Sequence, residues 1–259
     1  MSVKLIGITQ PTVYSECTTA NDLVAYTARV SNPGNQRNLD TAGRLVKFLV
    51  RESHWSPFEM VHLVMEIKTT RDISRQILRH RSFSFQEFSQ RYALAENFIT
   101  DREFRLQDTK NRQNSIEVNN PKLQTQWQAM QEVVKAAAMQ AYNWAKNEGL
   151  AKEQSRVVLP EGLTETTVYM SGTLRSWIHY CELRSTIGTQ KEHRIVAIDA
   201  WNIIAEYFPD LVEAMDSINL DKKKTLSKIE LVDYMEKYHP ELLSQALDSK
   251  SKICLDKLS

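Results

Sequence analysis

Glycine is scarce in this chain, and its scarcity excludes the common nucleotide-binding loops. Seven glycines occur among 259 residues, and each stands alone in the sequence. Neither the GxGxxG fingerprint of a dinucleotide-binding fold nor the GxxxxGK[ST] pattern of a P-loop can therefore be written anywhere in it. If the protein holds a nucleotide, it must do so with side chains.

Cysteine is equally rare, and long apolar runs are missing. Cys17, Cys181 and Cys254 lie far apart and form no CxxC pair, which argues against a disulfide framework or a zinc site and fits a reducing compartment. No window approaches eighteen uninterrupted apolar residues, and the first residues lack the basic and apolar regions of a secretion signal. We therefore expect a soluble, cytoplasmic protein without a membrane partner and without a bound metal.

The chain also lacks an excess of charge of either sign. It has 33 lysines and arginines against 32 aspartates and glutamates, a formal net charge of +1. This balance gives no overall basic field of the kind that drives non-specific binding of nucleic acids, so no nucleic-acid partner is expected. Any site for an anion must be local.

Hydrophobic periodicity predicts an α+β protein in which helices dominate. The length and the apolar content of 42% suit a single domain over residues 1–259, with a polar surface insertion at about 102–125 and a lysine-rich C-terminal extension at about 217–259. Strands are predicted at 3–9 and 58–69, and helices at 19–32, 40–53, 69–81, 123–149, 171–185 and 189–207. In the helix at 40–53, Leu45, Phe48 and Leu49 form the apolar face.

Positive charge is nevertheless concentrated in one stretch, residues 75–92, which carries four arginines and a histidine. Ile73 and Ile77, four apart, are expected to hold one helix face in the core, which leaves Gln76 and Arg79 on another face. That geometry also fits an ordinary solvated helix. Because the charge is concentrated, rich in arginine and interrupted by an acid, a phosphate-bearing small ligand fits better than the broad basic surface of a nucleic-acid-binding protein.

One pattern in this stretch, RHRx7S, resembles a known signature. Arg79, His80 and Arg81 are followed after seven residues by Ser89, as in the flavin-dependent thymidylate synthases, and the wider frame at 76–92 matches as well. Further segments resemble that family in the same order: ARVS at 28–31, HWSPFE at 54–59, SRVVLP at 155–160 and LRSWIHYCELR at 174–184. The resemblance covers roughly residues 20–210. It implies the family's fold, a helix-rich single domain around a small antiparallel sheet.

The resemblance implies an enzyme that converts dUMP to dTMP by reductive methylation, without a cysteine nucleophile. Arg184 is implied as the catalytic residue, which pairs with the pyrimidine ring and stabilises negative charge at N3 and O2 as C5 becomes nucleophilic. The dUMP-binding residues carried over by the resemblance are Gln76, Arg79, Glu87, Phe88, Ser89, Gln90, Arg91, Arg156 and Arg184.

The resemblance also implies FAD as the cofactor, NADPH as its reductant and 5,10-methylenetetrahydrofolate as the one-carbon donor. His54 stands where the family has a histidine near the flavin and the folate. By the same resemblance the protein is a homotetramer whose active sites lie at subunit interfaces, with FAD contacts from more than one subunit. The implied FAD contacts are Ser56, Arg79, His80, Arg81, Glu87, Arg175 and His179.

Several alternatives stay open at this point. His179, amid apolar neighbours on a helix, is by composition typical of a core histidine. The arginine-rich stretch also fits a non-catalytic nucleotide- or RNA-binding protein, and the same scaffold could make another 5-substituted pyrimidine, such as a hydroxymethyl derivative. Cys181 is rejected as a nucleophile, because it lies mid-helix in an apolar run, where free cysteines are usually packing residues.

Three residues depart from the family's pattern, and one spacing constrains the site. Gln86 stands where asparagine is common, and Met60 and Gly188 stand where histidines are frequent near the flavin and folate region. Arg175 and Arg184 are nine residues apart, which is two and a half helical turns and places them on opposite faces. The two arginines are therefore not expected to bind the same atoms of a ligand.

Overall fold

The structure, a computed structural model, describes residues 1–95, 98 and 102–216. Its helices are α1 (Ala20–Ala28), α2 (Ala42–Arg51), α3 (Arg71–Ile77), α4 (Pro121–Asn147), α5 (Lys152–Ser155), α6 (Leu174–Arg184) and α7 (Lys191–Tyr207). Its strands are β1 (Ser2–Ile8), β2 (His62–Thr70), β3 (Ser84–Glu87), β4 (Arg105–Gln107), β5 (Ser115–Glu117) and β6 (Glu165–Thr173). The extension predicted at about 217–259 lies outside the described residues. Within the described part of the chain, no helix is long and apolar enough to cross a bilayer.

Four strands form an antiparallel sheet in the order β1-β2-β6-β3. β2 and β6 lie at its centre and pair along their whole lengths, from His62 opposite Thr173 to Thr70 opposite Glu165. β3 continues the sheet on the outer side of β6. The predicted α+β class and the small antiparallel sheet are confirmed.

The central strand β6 is missing from the elements predicted above, and the helix expected from 171 begins later. The strand runs to Thr173, and α6 starts at Leu174. Its buried positions alternate, as the geometry of a strand requires. The buried residues are Thr166, Val168, Met170 and Gly172. Because two of these four are only weakly apolar, the alternation is faint in the sequence.

One face of the sheet packs against the helices and forms the hydrophobic core. β2 contributes Leu63, Met65 and Ile67, all fully buried. Trp177 of α6 is also fully buried, and its Nε1 donates a hydrogen bond to the carbonyl oxygen of Leu63 at 3.2 Å. Burying an apolar side chain of this size contributes about 1.5–3 kcal/mol. This packing fixes α6 on the sheet.

Helix α2 turns most of the predicted face to the core, with Leu49 buried and Leu45 packed against the core, but not Phe48. Val46, Leu49 and Val50 are buried, whereas Phe48 is 41% exposed. The placement of Phe48 on the buried face is therefore wrong. Its ring lies at the surface beside that of His54, with centroids 6.0 Å apart.

The region predicted as a polar insertion, about 102–125, contains regular structure. β4 and β5 form a two-stranded hairpin, and α4 begins at Pro121 rather than at 123. The hairpin is tied to the start of α7. Arg105 donates to Glu192 at 2.6 Å, and the Nζ atom of Lys191 lies 2.6 Å from a carboxylate oxygen of Glu117. These ion pairs bring the hairpin to the same helix end as the site described below.

Two glycines are required by local geometry. Gly149 follows α4 with a φ of +74°, the left-handed conformation that commonly ends a helix. Gly172 in β6 lies against Phe83, and a Cβ atom there would collide with the Phe83 ring. The glycine lets that ring pack edge-on against Trp177, with centroids 4.9 Å apart. Phe83 thereby anchors the chain just after the Arg-His-Arg segment.

Candidate functional site

Helix α3 places Gln76 at the site and ends just before the Arg-His-Arg segment. Ile73 and Ile77 are fully buried, which confirms their predicted anchoring role. The helix ends at Ile77, earlier than the predicted 81, so Arg79 follows in a turn. Arg79 and Arg81 therefore lie beyond the end of α3 and not on one of its faces.

Arg184, the implied catalytic residue, lies in the last turn of α6 and is held by His80. Its Nε donates to Nε2 of His80 at 2.9 Å. Because arginine only donates, this Nε2 must carry a lone pair, so the ring is neutral with its proton on Nδ1. Burial, together with the charges of Arg184 and Arg79, lowers the pKa of His80 to about 4. The two terminal nitrogens of Arg184 have no partner within the described residues.

His193 of α7 is absent from the predicted site residues, yet it is fully buried beside Gln76. Its Nε2 lies 3.1 Å from the Tyr180 hydroxyl, and its Nδ1 lies 3.4 Å from Oε1 of Gln76. Gln76 in turn donates Nε2 to Oε1 of Gln190 at 2.7 Å. A signal was present in the sequence, because position 193 lies three, four and seven residues before other buried positions of α7.

The carboxylate of Glu87, at the end of β3, is held by side chains of two elements, α3 and β6. Ser74 and Thr166 donate their hydroxyl hydrogens to Oε1 at 2.8 and 3.0 Å. A terminal nitrogen of Arg71 lies 3.6 Å from the same oxygen. Its other oxygen has no partner among the residues described, so Glu87 keeps an acceptor for a ligand.

The loop after β3 borders a groove on the open face of the sheet. The groove has a volume of about 570 Å³, and its lining includes Phe88 and Ser89 of this loop, Gln86 of β3 and Tyr169 of β6. Gln90 is only 4% exposed, and its amide nitrogen has no hydrogen-bond partner within the described residues. The open face thus offers polar groups from the predicted dUMP loop.

Arg91 extends from this loop toward α5 and the short 3-10 turn Arg156–Val158. Its Nε lies 3.2 Å from a carboxylate oxygen of Glu153, one helical turn before Arg156. Lys152 also donates to the carbonyl oxygen of Tyr92 at 2.7 Å. These contacts bring the loop and the segment of Arg156 together.

Three arginines of the predicted set carry positive charge that nothing in the described chain compensates. Arg79 and Arg81 are exposed and Arg156 is half-buried, and none of them has an ion-pair or side-chain hydrogen-bond partner among residues 1–95, 98 and 102–216. Uncompensated guanidinium groups are the usual partners of phosphate oxygens. This donor set fits a ligand that carries phosphate.

The remaining predicted residues form a second cluster at the other end of α6. Arg175 pairs with Glu59, which lies in the 3-10 turn Ser56–Met60 that also carries Ser56. His179 meets the Trp55 ring edge-on, with centroids 5.4 Å apart. Its side chain is 47% exposed, so the interpretation of His179 as a core histidine is wrong. The structure thus places Arg175 at the opposite end of α6 from Arg184, with His179 near the middle of the helix.

The departures from the family's pattern lie at the surface. Met60 is 50% exposed at the end of the 3-10 turn, and Gln86 is exposed on β3. Gly188 is exposed before α7, where an added Cβ atom would meet nothing within 4 Å. Within the part of the chain that the structure describes, no buried contact explains these three residues.

Comparison with known proteins identifies the family. The family model described as thymidylate synthase complementing protein matches residues 12–210. A probable flavin-dependent thymidylate synthase of Paramecium bursaria Chlorella virus 1 is 49% identical over 216 residues, which are 83% of this chain and 99% of that protein. The chain belongs to the flavin-dependent thymidylate synthase family.

Other members and a solved structure extend this result. The flavin-dependent thymidylate synthase of Synechocystis is 44% identical over 218 residues, which cover 83% of this chain and 100% of that protein. The crystal structure of the UMP/dUMP methylase PolB from Streptomyces cacaoi bound with 5-Br UMP has a TM-score of 0.71 at 23% identity. The match covers 83% of this chain and 93% of PolB, so the two share a fold.

Within this flavin-dependent thymidylate synthase fold, the Cys181 thiol is poorly suited to nucleophilic attack. Cys181 is 2% exposed in the middle of α6. Burial, with a smaller effect of the neighbouring Glu182 charge, raises the pKa of the thiol well above its usual range. In the described part of the chain, no three His, Cys, Asp or Glu side chains are grouped to hold a metal ion.

Proposed function

We propose that the protein methylates dUMP reductively to dTMP, with FAD reduced by NADPH and with 5,10-methylenetetrahydrofolate as the one-carbon donor. Two relatives at 49% and 44% identity are named as flavin-dependent thymidylate synthases, the first as a probable one, and a protein of the same fold is named as a UMP/dUMP methylase. The proposal assigns the whole chain to one domain acting in the cytoplasm, without nucleic acid as a partner.

The observation that carries the proposal is the state of Arg184. A guanidinium whose Nε is fixed by a neutral His80 presents its two terminal nitrogens as paired donors. In the proposal these donors face the N3 and O2 edge of uracil. Fixed positive charge at that edge stabilises the anionic form in which C5 is nucleophilic, as donors do in an oxyanion site. No thiolate is then required.

The phosphate of dUMP and the diphosphate of FAD need positive charge, and the unpaired Arg79, Arg81 and Arg156 supply it together with Arg91, which would exchange its ion pair with Glu153 for the ligand. We assign Arg156 and Arg91 to the dUMP phosphate region, Arg81 to the FAD diphosphate and Arg79 to both anions. Ser89, Gln90, Phe88, Glu87 and Gln76 would hold the nucleoside, while Ser56, His80, Glu87, Arg175 and His179 would contact FAD, with His54 near the flavin and the folate. When bound, reduced FAD supplies the hydride that completes the methyl group.

A homotetramer with interfacial active sites accounts for the division of these residues along α6. Nine residues of helix separate Arg175 from Arg184, a rise of about 13 Å. The two side chains also leave opposite faces of the helix. In an assembly of several copies, the Arg175 end of one α6 can contribute to a site completed by the Arg184 end of another.

An absorbance spectrum and a product analysis test the proposed function. The purified protein should be yellow, and with dUMP, methylenetetrahydrofolate and NADPH it should release dTMP, identified by mass. A colourless protein that stays without flavin after FAD is added would refute the proposal. Release of a hydroxymethylated nucleotide would support the same substrate but would refute the proposed methylation.

A further inference from the structure

A continuous hydrogen-bond chain runs behind the predicted dUMP site, and its direction is fixed by chemistry. The amide oxygen of Gln76 can only accept, so Nδ1 of His193, 3.4 Å away, must donate to it. Nε2 of His193 then carries the lone pair and accepts from the Tyr180 hydroxyl at 3.1 Å. The neutral ring is consistent with a pKa of about 3, lowered by burial and by the nearby Arg184 and His80.

The chain continues beyond Gln76 and ends on a carboxylate. Nε2 of Gln76 donates to Oε1 of Gln190 at 2.7 Å, and Nε2 of Gln190 donates to Oε2 of Glu192 at 3.1 Å. Glu192 is 6% exposed, and its other oxygen accepts from Arg105 of the hairpin at 2.6 Å. From Tyr180 to Glu192, each side chain therefore donates a hydrogen bond to the next one in the series. Each hydrogen bond thus fixes the orientation of the side chain that follows.

This series of hydrogen bonds orients the side-chain amide of Gln76, which is bonded on both sides. Its oxygen is engaged by His193 and one N–H by Gln190, which leaves one N–H and one oxygen lone pair for a ligand. A free glutamine side chain loses up to about 2 kcal/mol of rotamer entropy when it is ordered. Ordering it in advance removes that cost from binding.

We propose that His193 is a positioning residue for dUMP, which acts by fixing the amide of Gln76 in the orientation that the nucleotide requires. The inference rests on the proposed function, because it takes dUMP as the ligand of Gln76. His193 itself is fully buried behind Gln76, so it does not touch the nucleotide. In this proposal its effect on dUMP passes through Gln76.

A double-mutant cycle tests this on the flavin-loaded protein, with dUMP affinity measured by calorimetry and flavin content by absorbance. His193→Leu should weaken dUMP binding about tenfold, or about 1.4 kcal/mol. Gln76→Ala should weaken it at least as much. The double variant should bind no more weakly than Gln76→Ala alone, because His193 has nothing left to position. Losses that multiply in the double variant would overturn the inference.

The matched control is Val196→Ala, one turn further along the buried face of α7. It should lower the melting temperature while leaving dUMP affinity within about twofold of wild type. An equal loss of affinity in this control would reduce His193 to a packing role and overturn the inference. Wild-type protein that retains flavin but binds no dUMP would instead refute the proposed function, and this inference with it.

A measurement on the unmodified protein covers the case in which His193→Leu does not fold. The ¹⁵N shifts of the His193 ring should show the neutral tautomer with its proton on Nδ1. His193→Gln, which retains a donor and an acceptor, should bind dUMP more tightly than His193→Leu wherever both fold. A proton on Nε2 would leave nothing to donate to Gln76, and it would overturn the inference without any variant.

Discussion

The two ends of helix α6 carry arginines in opposite situations. At the C-terminal end, Arg184 donates to a neutral, half-buried His80, whose ring packs edge-on against Tyr180 with centroids 4.9 Å apart. At the N-terminal end, Arg175 pairs with Glu59, and both side chains are more than 40% exposed. One arginine is oriented by a histidine within the fold, and the other is held only by an ion pair at the surface.

This difference indicates how the two ends work. An orientation imposed by the core is present before any ligand arrives, and such preorganisation is what electrostatic catalysis requires. An exposed ion pair contributes about 0–1 kcal/mol and rearranges readily. We therefore expect the Arg184 end to govern the rate of the chemistry and the Arg175 end to govern retention of the flavin.

The largest expected effect is that of Arg184→Ala. Removal of the oriented guanidinium should lower turnover of dUMP by about 10²–10³-fold, the range seen when one donor of an oxyanion site is removed. The flavin should remain bound, because Arg184 is assigned to the pyrimidine. Turnover and the flavin spectrum of the same preparation measure both quantities. Unchanged turnover would remove Arg184 from the mechanism and make the two ends of α6 equivalent.

Arg175→Ala should show the reverse pattern on a smaller scale. Loss of one charge-assisted contact, worth about 1.5–3 kcal/mol, should weaken FAD binding about tenfold or more. Turnover at saturating FAD should fall much less than in Arg184→Ala. Fluorescence titration of the protein with FAD provides the affinity, and Glu59→Gln separates the ion pair from the flavin contact. Flavin affinity equal to wild type in Arg175→Ala would contradict the assignment.

The sequence predicts one end of α6 better than the other, and the reasons are physical. The helical repeat alone separates Arg175 from Arg184, because it depends only on local geometry. The same repeat accounts for the exposure of His179, since Trp177, Ile178, Tyr180 and Cys181 are buried while position 179 lies on the outer face of the helix. The alternative of a core histidine, which rested on composition, is therefore wrong.

The contacts of the C-terminal end depend on parts of the chain that are distant in sequence. His80 and Arg184 are 104 residues apart, and Gln76 and His193 are 117 apart. The motif indicated that Arg79-His80-Arg81 belongs to a site, but no local pattern shows that His80 accepts from Arg184. β6, a central strand of the sheet, is not predicted from the sequence, because its buried positions include threonine and glycine. The hydrogen bonds of His80 and His193 are therefore seen only in the tertiary structure.

Acidification should lower the folding stability of the protein through His80 and His193, the two histidines near Arg184. The pKa values of His80 and His193, about 4 and 3, lie below the ordinary value of 6.5 that the unfolded chain should show. Between these values the unfolded state binds more protons than the folded state, so stability is fully present above about pH 6.5 and is lost as the pH falls toward 4. His193→Gln should lose less melting temperature than wild type between pH 7 and pH 5.

The control for this comparison is His62→Gln, at an exposed position of β2. It should follow the wild-type pH dependence, because it leaves His80 and His193 in place. If His193→Gln lost as much melting temperature on acidification as His62→Gln, the buried histidines would not be the groups that link stability to pH.

The smallest expected effect is that of Cys181→Ala, at a position of α6 between the two arginines. The buried thiol should cost about 1 kcal/mol of stability when it is truncated, a typical value for a small change in a core. Turnover should stay within about twofold of wild type, because a thiol with a raised pKa supplies little thiolate. Cys17→Ala, which removes a second buried thiol in the loop before α1, provides the reference for stability. A loss of turnover as large as that of Arg184→Ala would make the thiol a nucleophile, and the oriented guanidinium would then assist a covalent reaction rather than replace one.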